Sequence, residues 1–97
     1  MIKWFVQMKY TKHARKRIVE RGISEDMILE AVLRPSQVYY DLSVGTTIAI
    51  RGLNERHILV AYVRENDEIK IITTFITSEI QEIVRRRLES GRWVRVK

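Results

Sequence analysis

The segment from Gln37 to Ile76 is a series of short β-prone runs, alternating with a period of two over its first part and broken only by short polar or glycine-bearing turns. That is the pattern of consecutive strands, not of helices. Val38, Tyr40 and Leu42 alternate with Gln37, Tyr39 and Asp41, and Ser43-Val44-Gly45 turns the chain into Thr46–Arg51, where Ile48 and Ile50 share a face. Gly52-Leu53-Asn54-Glu55-Arg56 predicts the next turn. His57–Arg64 and Ile69–Ile76 are then two strong strands around Glu65-Asn66-Asp67-Glu68. Strands joined by turns this short pair antiparallel, so the middle of the chain predicts a four-stranded antiparallel meander.

Helical signals flank it. Residues 2–10 put Ile2, Trp4, Val6, Met8 and Tyr10 on one side, which predicts an N-terminal strand. Thr11 is a good N-cap for a helix over 12–21, and Gly22 supplies a left-handed stop. Ser24 caps a second helix, with Glu25 and Asp26 in its first turn and Ile23 able to staple onto Ile28. Arg34-Pro35 ends that helix, because the residue before proline is pushed out of helical geometry. The two helices are joined so closely that they form a hairpin. Ser78 and Gln81 read as a capping box before a helix bearing Ile80, Ile83, Val84 and Leu88, closed by Gly91. The tail from Arg92 to Lys97 has no assignment. The expected order is β-α-α-β-β-β-β-α, an α+β fold in one domain over residues 1–97, with the hairpin covering one sheet face.

The chain has no cysteine, which removes disulfides, thiolate metal sites and cysteine nucleophiles. Two distant histidines and no paired-carboxylate spacing argue against a metal centre, and the four glycines fall at turns or helix ends, so no phosphate-cradling loop is present. Neither a metal nor another cofactor is expected. No apolar stretch approaches a membrane span, and Lys3 and Lys9 interrupt the start, so a cytoplasmic location is expected.

Net charge is +6, and its distribution is uneven. Lys9, Lys12, Arg15, Lys16, Arg17 and Arg21 stand against Glu20 alone, and Arg85, Arg86, Arg87, Arg92, Arg95 and Lys97 against Glu89 alone. On a helical wheel with His13 at zero, Arg17 falls at about 40°, Arg21 at about 80°, and the apolar Ala14 and Ile18 at about 100° and 140°. His13, Arg17 and Arg21 thus form one ridge beside the apolar seam. An imidazole and two guanidiniums shaped for phosphate supply what metal-free RNA cleavage requires: a proton acceptor, a proton donor and a stabiliser of phosphoryl charge. The other reading is a helix boundary whose arginines pair with Glu20, Glu25 or Glu30. Lys9, Lys12, Lys16, Arg51, His57 and Arg64 extend the candidate RNA-contacting set, while Arg51, His57 and Arg64 also suit plain strand ends. Tyr39, Tyr40 and Tyr62 can stack bases or simply fill strands. In Thr73-Thr74, one hydroxyl must face the core and find a partner.

The pattern Tyr10-Thr11-x-His13-Ala14-x-x-Arg17, then Glu20-Arg21-Gly22-Ile23-Ser24, then Ala31 and Pro35, resembles a family of small domains with an H-A-x-x-R…E-R-G-I-S signature. That family is grouped with the BrnT and RelE/ParE toxin superfamily. The run Ile58–Val63 followed by Ile69–Thr74 is similar to its last two strands. The resemblance implies a RelE-like fold, a toxin that acts as a ribonuclease on mRNA, and a cognate antitoxin protein as partner. It carries over to His13, Arg17, Arg21 and Gly22, whereas Arg92, Trp93 and Arg95 do not align with the C-terminal basic and aromatic set of RelE-type enzymes. A non-catalytic nucleic-acid- or protein-binding module of the same fold is the alternative. A third reading is a homodimer whose face is marked by Trp4, Phe5 or Trp93.

Overall fold

The computed structural model describes residues 7–97. Strand β1 (Gln7–Tyr10) leads into α1 (Lys12–Arg21) and α2 (Glu25–Leu33). Strands β2 (Gln37–Asp41), β3 (Thr46–Leu53), β4 (Arg56–Glu65) and β5 (Glu68–Thr77) follow, then α3 (Ile80–Glu89) and β6 (Trp93–Arg95). The fold is α+β, and the meander is present as expected. The sheet is larger and less regular than a meander, however: six strands in the order β1-β5-β4-β3-β2-β6. β1 runs parallel to β5, whereas the other neighbours are antiparallel, so the sheet is mixed. Residues 2–6 of the expected first strand lie outside the described residues.

Local chemistry explains most boundaries. The Thr11 hydroxyl accepts from Ala14 N–H at 3.1 Å, and Gly22 ends α1 at φ 64°. The Ser24 hydroxyl accepts from Met27 N–H at 3.1 Å, and Glu25 and Asp26 complement the helix dipole in the first turn. Asn54 and Asn66 take left-handed φ of 59° and 58° in two-residue hairpins, where asparagine tolerates that conformation. The α3 start differs from expectation. Glu79, not Ser78, is the N-cap, and no side chain caps the helix; the Thr77 hydroxyl accepts from Glu79 N–H at 3.0 Å instead.

Both sheet faces are covered. The hairpin face packs Ala14, Ile23, Ile28 and Ala31 on Ile58, Val60, Ile69 and Ile71. The opposite face packs α3 through Ile80 and Val84 onto Tyr39, Ile48, Ile50, Leu59 and Ala61, with Trp93. In β2 the buried members are Tyr39 and Asp41, while Tyr40 and, just beyond the strand, Leu42 are exposed. A bulge separates the two registers of β4 and β5: Ala61 pairs with Thr73, but Tyr62 pairs with Ile71, leaving Ile72 as the extra residue. Thr74 is the inward threonine, and its hydroxyl donates to Leu59 O at 2.9 Å.

The tail forms β6 because β2 offers it an edge and Asp41 offers it an anchor. Trp93 Nε1–H donates to Asp41 Oδ2 at 3.1 Å, and Arg92 Nε donates to both carboxylate oxygens at 3.1 and 3.3 Å. Ser43 donates to Oδ1 from its backbone N–H and its hydroxyl at 2.9 and 2.7 Å. Burial works to raise the Asp41 pKa, but these donors from Ser43, Trp93 and Arg92 outweigh it and hold the carboxyl below its ordinary range. Trp93 is 5% exposed and stacks on Tyr39 at 5.4 Å, so it anchors the fold and does not mark a dimer face. Trp4 and Phe5 lie outside the described residues.

Candidate nucleic-acid interface

The site is helix α1, held at its N-terminus by β5. Thr11 N–H donates to Ile71 O at 3.1 Å, and the Thr11 hydroxyl donates to Ile72 O at 3.0 Å. Ala14 is fully buried against the sheet, which fixes the rotation of the helix. His13 and Arg21 are consequently exposed, and Arg17 is half-buried at the edge of the seam. Arg21 is more solvated than its wheel angle implies because it occupies the last turn, where its charge complements the C-terminal end of the dipole.

The electrostatics of α1 differ from those of the other helices. Its first turn contains no acidic residue, whereas that of α2 has Glu25 and Asp26 and that of α3 has Glu82. Among the described residues, none of Lys12, His13, Lys16, Arg17 and Arg21 lies within ion-pair distance of a carboxylate. Of their expected internal partners, Glu25 accepts from the Tyr10 hydroxyl at 3.1 Å and Glu30 lies 3.9 Å from Arg51, while Glu20 is exposed and in no ion pair among the described residues. In the second basic zone, by contrast, Arg85 and Arg86 are tied to Glu82, Arg85 also to Glu89, and Arg92 to Asp41. α1 thus carries a row of cations in no ion pair among the described residues, whereas in the second zone only Arg87, Arg95 and Lys97 are in none.

The remaining candidates separate. Lys9 pairs with Glu68 at 3.1 Å. Arg15 turns away from the ridge to stack its guanidinium 5.7 Å from the Tyr10 ring. The Tyr10 hydroxyl itself is pushed to a higher pKa by burial and by its bond to Glu25. Arg51 reaches back to α2, donating to Arg34 O at 2.6 Å, so it ties the helix C-terminus to β3. Arg64 is exposed at the end of β4, and strand alternation gives it the hairpin face, beside Tyr62. His57 alternates onto the opposite face with Leu59. There it lines an open cleft of about 640 Å³ together with Glu55, Glu79 and Glu82, an acidic setting. Of the tyrosines, Tyr39 is buried, Tyr40 is exposed, and Tyr62 is half-buried with a pKa raised by that burial. Among the described residues no cluster of three metal-ligating side chains occurs, and no helix is long and apolar enough to cross a membrane.

The sequence signature of α1 lies within a family match. The family described as a domain of unknown function, DUF4258, matches residues 10–76, more than half of the chain's 97 residues. The chain belongs to the DUF4258 family. No curated protein and no solved structure matches it. The DUF4258 region runs from the end of β1 through β5 and so contains α1 and its anchor on Ile71 and Ile72. It excludes α3, which packs on the opposite sheet face, and β6, which extends the sheet at the β2 edge.

Proposed function

We propose that this DUF4258 protein is a toxin-like RNA-binding protein that grips the phosphate backbone with α1 and cleaves it without a metal. The observation that carries the reading is the unneutralised row Lys12, His13, Lys16, Arg17 and Arg21 on a helix whose other face is fixed in the core. Arg17 and Arg21 present forked donors to phosphate, Lys12 and Lys16 add charge, and His13 exchanges protons with the 2′-hydroxyl and the leaving oxygen. Arg64 extends the surface on the same face. The same reading takes the fold as a RelE-type arrangement enlarged by β6, and assigns an acidic antitoxin segment as the partner that covers α1. Messenger RNA is the substrate class, in the cytoplasm.

A specific observation favours the second reading, binding without cleavage: among the described residues, no side chain holds the His13 ring in one orientation. End-labelled RNA incubated with purified protein in EDTA separates the two. Cleavage that His13→Ala abolishes supports the enzyme. Retarded but intact RNA, released by Arg17→Ala, supports the binder. Absence of any RNA association overturns both.

A further inference from the structure

The first residue of β3, Thr46, is 5% exposed, and its Oγ1 has no hydrogen-bond partner among the described residues. Buried hydroxyls are nearly always satisfied, so an orphan marks a place where something else completes the bond. Thr46 lines a cavity of about 170 Å³ between α3 and the sheet, on the face opposite α1. Its floor is formed by aliphatic side chains of β3 and β4. Phe75 and Trp93 supply aromatic walls, and Thr73 contributes a second hydroxyl. Arg87 and Arg92 stand at the rim.

The charge balance of that rim is informative. Arg92 reaches Asp41 through Nε, so its terminal nitrogens are not used in that contact. Arg87 lies 5.9 Å from the Trp93 ring and, among the described residues, is in no ion pair. The cavity lining holds these two guanidiniums and the one carboxylate of Asp41, which leaves one positive charge and suits a monoanion better than a phosphate dianion. The volume equals that of roughly five or six waters, below the range of drug-sized pockets. One ring fills it.

We propose that the cleft between α3 and the sheet is a binding site for a ring-sized organic carboxylate. Its carboxylate sits on Arg87 and Arg92, its ring lies between Phe75 and Trp93, and a polar ring substituent bonds the Thr46 hydroxyl. The DUF4258 region supplies Thr46, Thr73 and Phe75, while the segment beyond residue 76 supplies Arg87, Arg92 and Trp93. The site is therefore a product of the two parts together, and it does not depend on the RNA reading of α1.

The probe is 4-hydroxybenzoate, titrated into the full chain while the Trp93 indole N–H is followed by NMR. The expected result is a saturable shift. Benzoate, which lacks the ring hydroxyl, binds about fivefold more weakly, the usual worth of one hydrogen bond. Thr46→Val removes that difference between the two probes and raises Tm, because it deletes an unpartnered buried hydroxyl. Arg87→Met, on an exposed helix face, weakens both probes while leaving the fold intact. No saturable shift at millimolar probe overturns the site. So does a Thr46→Val variant of lower Tm, which makes the hydroxyl a structural group. Tighter binding of phenyl phosphate than of 4-hydroxybenzoate overturns the carboxylate assignment.

Discussion

The Thr11 hydroxyl donates to the backbone carbonyl of Ile72 at 3.0 Å while accepting from Ala14 N–H at 3.1 Å. Ile72 is the extra residue of the β-bulge, so its carbonyl is released from the ladder just where the helix begins. One side chain satisfies an orphan of the helix and an orphan of the sheet.

Thr11→Ala should therefore cost more than an ordinary lost cap, about 2 kcal/mol, since a cap contributes about 1 and a stranded carbonyl adds a similar amount. Thr11→Ser should recover most of it. Urea denaturation followed by circular dichroism measures both. A Thr11→Ala loss below half a kcal/mol would show that the bulge contact is incidental.

Asp41 makes stability depend on acid. Its folded pKa is depressed, so its contribution is complete above the unfolded value of about 4 and disappears as pH falls through the lower folded value. Asp41→Asn should lose about 2–3 kcal/mol at neutral pH, the range for hydrogen bonds to a charged group. The gap between variant and wild type should close below about pH 4. Melting curves across that range decide it; a constant gap would remove Asp41 from the acid response.

Arg51 and Arg17 should part company. Arg51 is spent on Arg34 O, with Glu30 too exposed and distant to add much, so Arg51→Ala should destabilise by about 1 kcal/mol and leave RNA affinity unchanged. Arg17→Ala should do the reverse. With four cations of α1 on phosphates, log affinity for single-stranded RNA should fall with log salt at a slope of about −3, and Arg17→Ala should reduce that slope by about 0.7. Filter binding at several salt concentrations reads both numbers.

At Gly22 the backbone is left-handed and a Cβ would meet nothing within 4 Å. Gly22→Ala should thus cost about 1 kcal/mol from backbone conformation alone, and Gly22→Asn less. Unchanged RNA binding in both variants would assign this part of the signature to folding.

What the sequence made legible was local. The caps at Thr11 and Ser24, the stop at Gly22 and the β-prone runs between Gln37 and Ile76 are short-range signals, and they found their elements. The parallel pairing of β1 with β5 was invisible because alternation carries no information about a strand's distant partner. The three-residue β6 depends on the edge of β2 and on Asp41, a contact spanning some fifty residues. In β2 the buried side was the one carrying a charge, and hydrophobicity gives no hint that four donors await it. At the site, the wheel ordered the α1 ridge beside its seam. It could not reveal that Lys9 and Arg51 are committed elsewhere, that His57 faces the other layer, or that Thr46 has no partner.

The parallel pairing of β1 with β5 also sets a schedule. Tyr10 lies beside Ile71, so the earliest described strand has no neighbour in the sheet until β5, about sixty residues later, has been synthesised. Closing so long a loop before any reward arrives is slow. Until then α1 lacks both its floor and its anchor at Ile72, and its cations have no fixed spacing. The spacing of the α1 cations is therefore fixed by a strand made well after the helix itself, which separates in time the making of α1 from the setting of its surface.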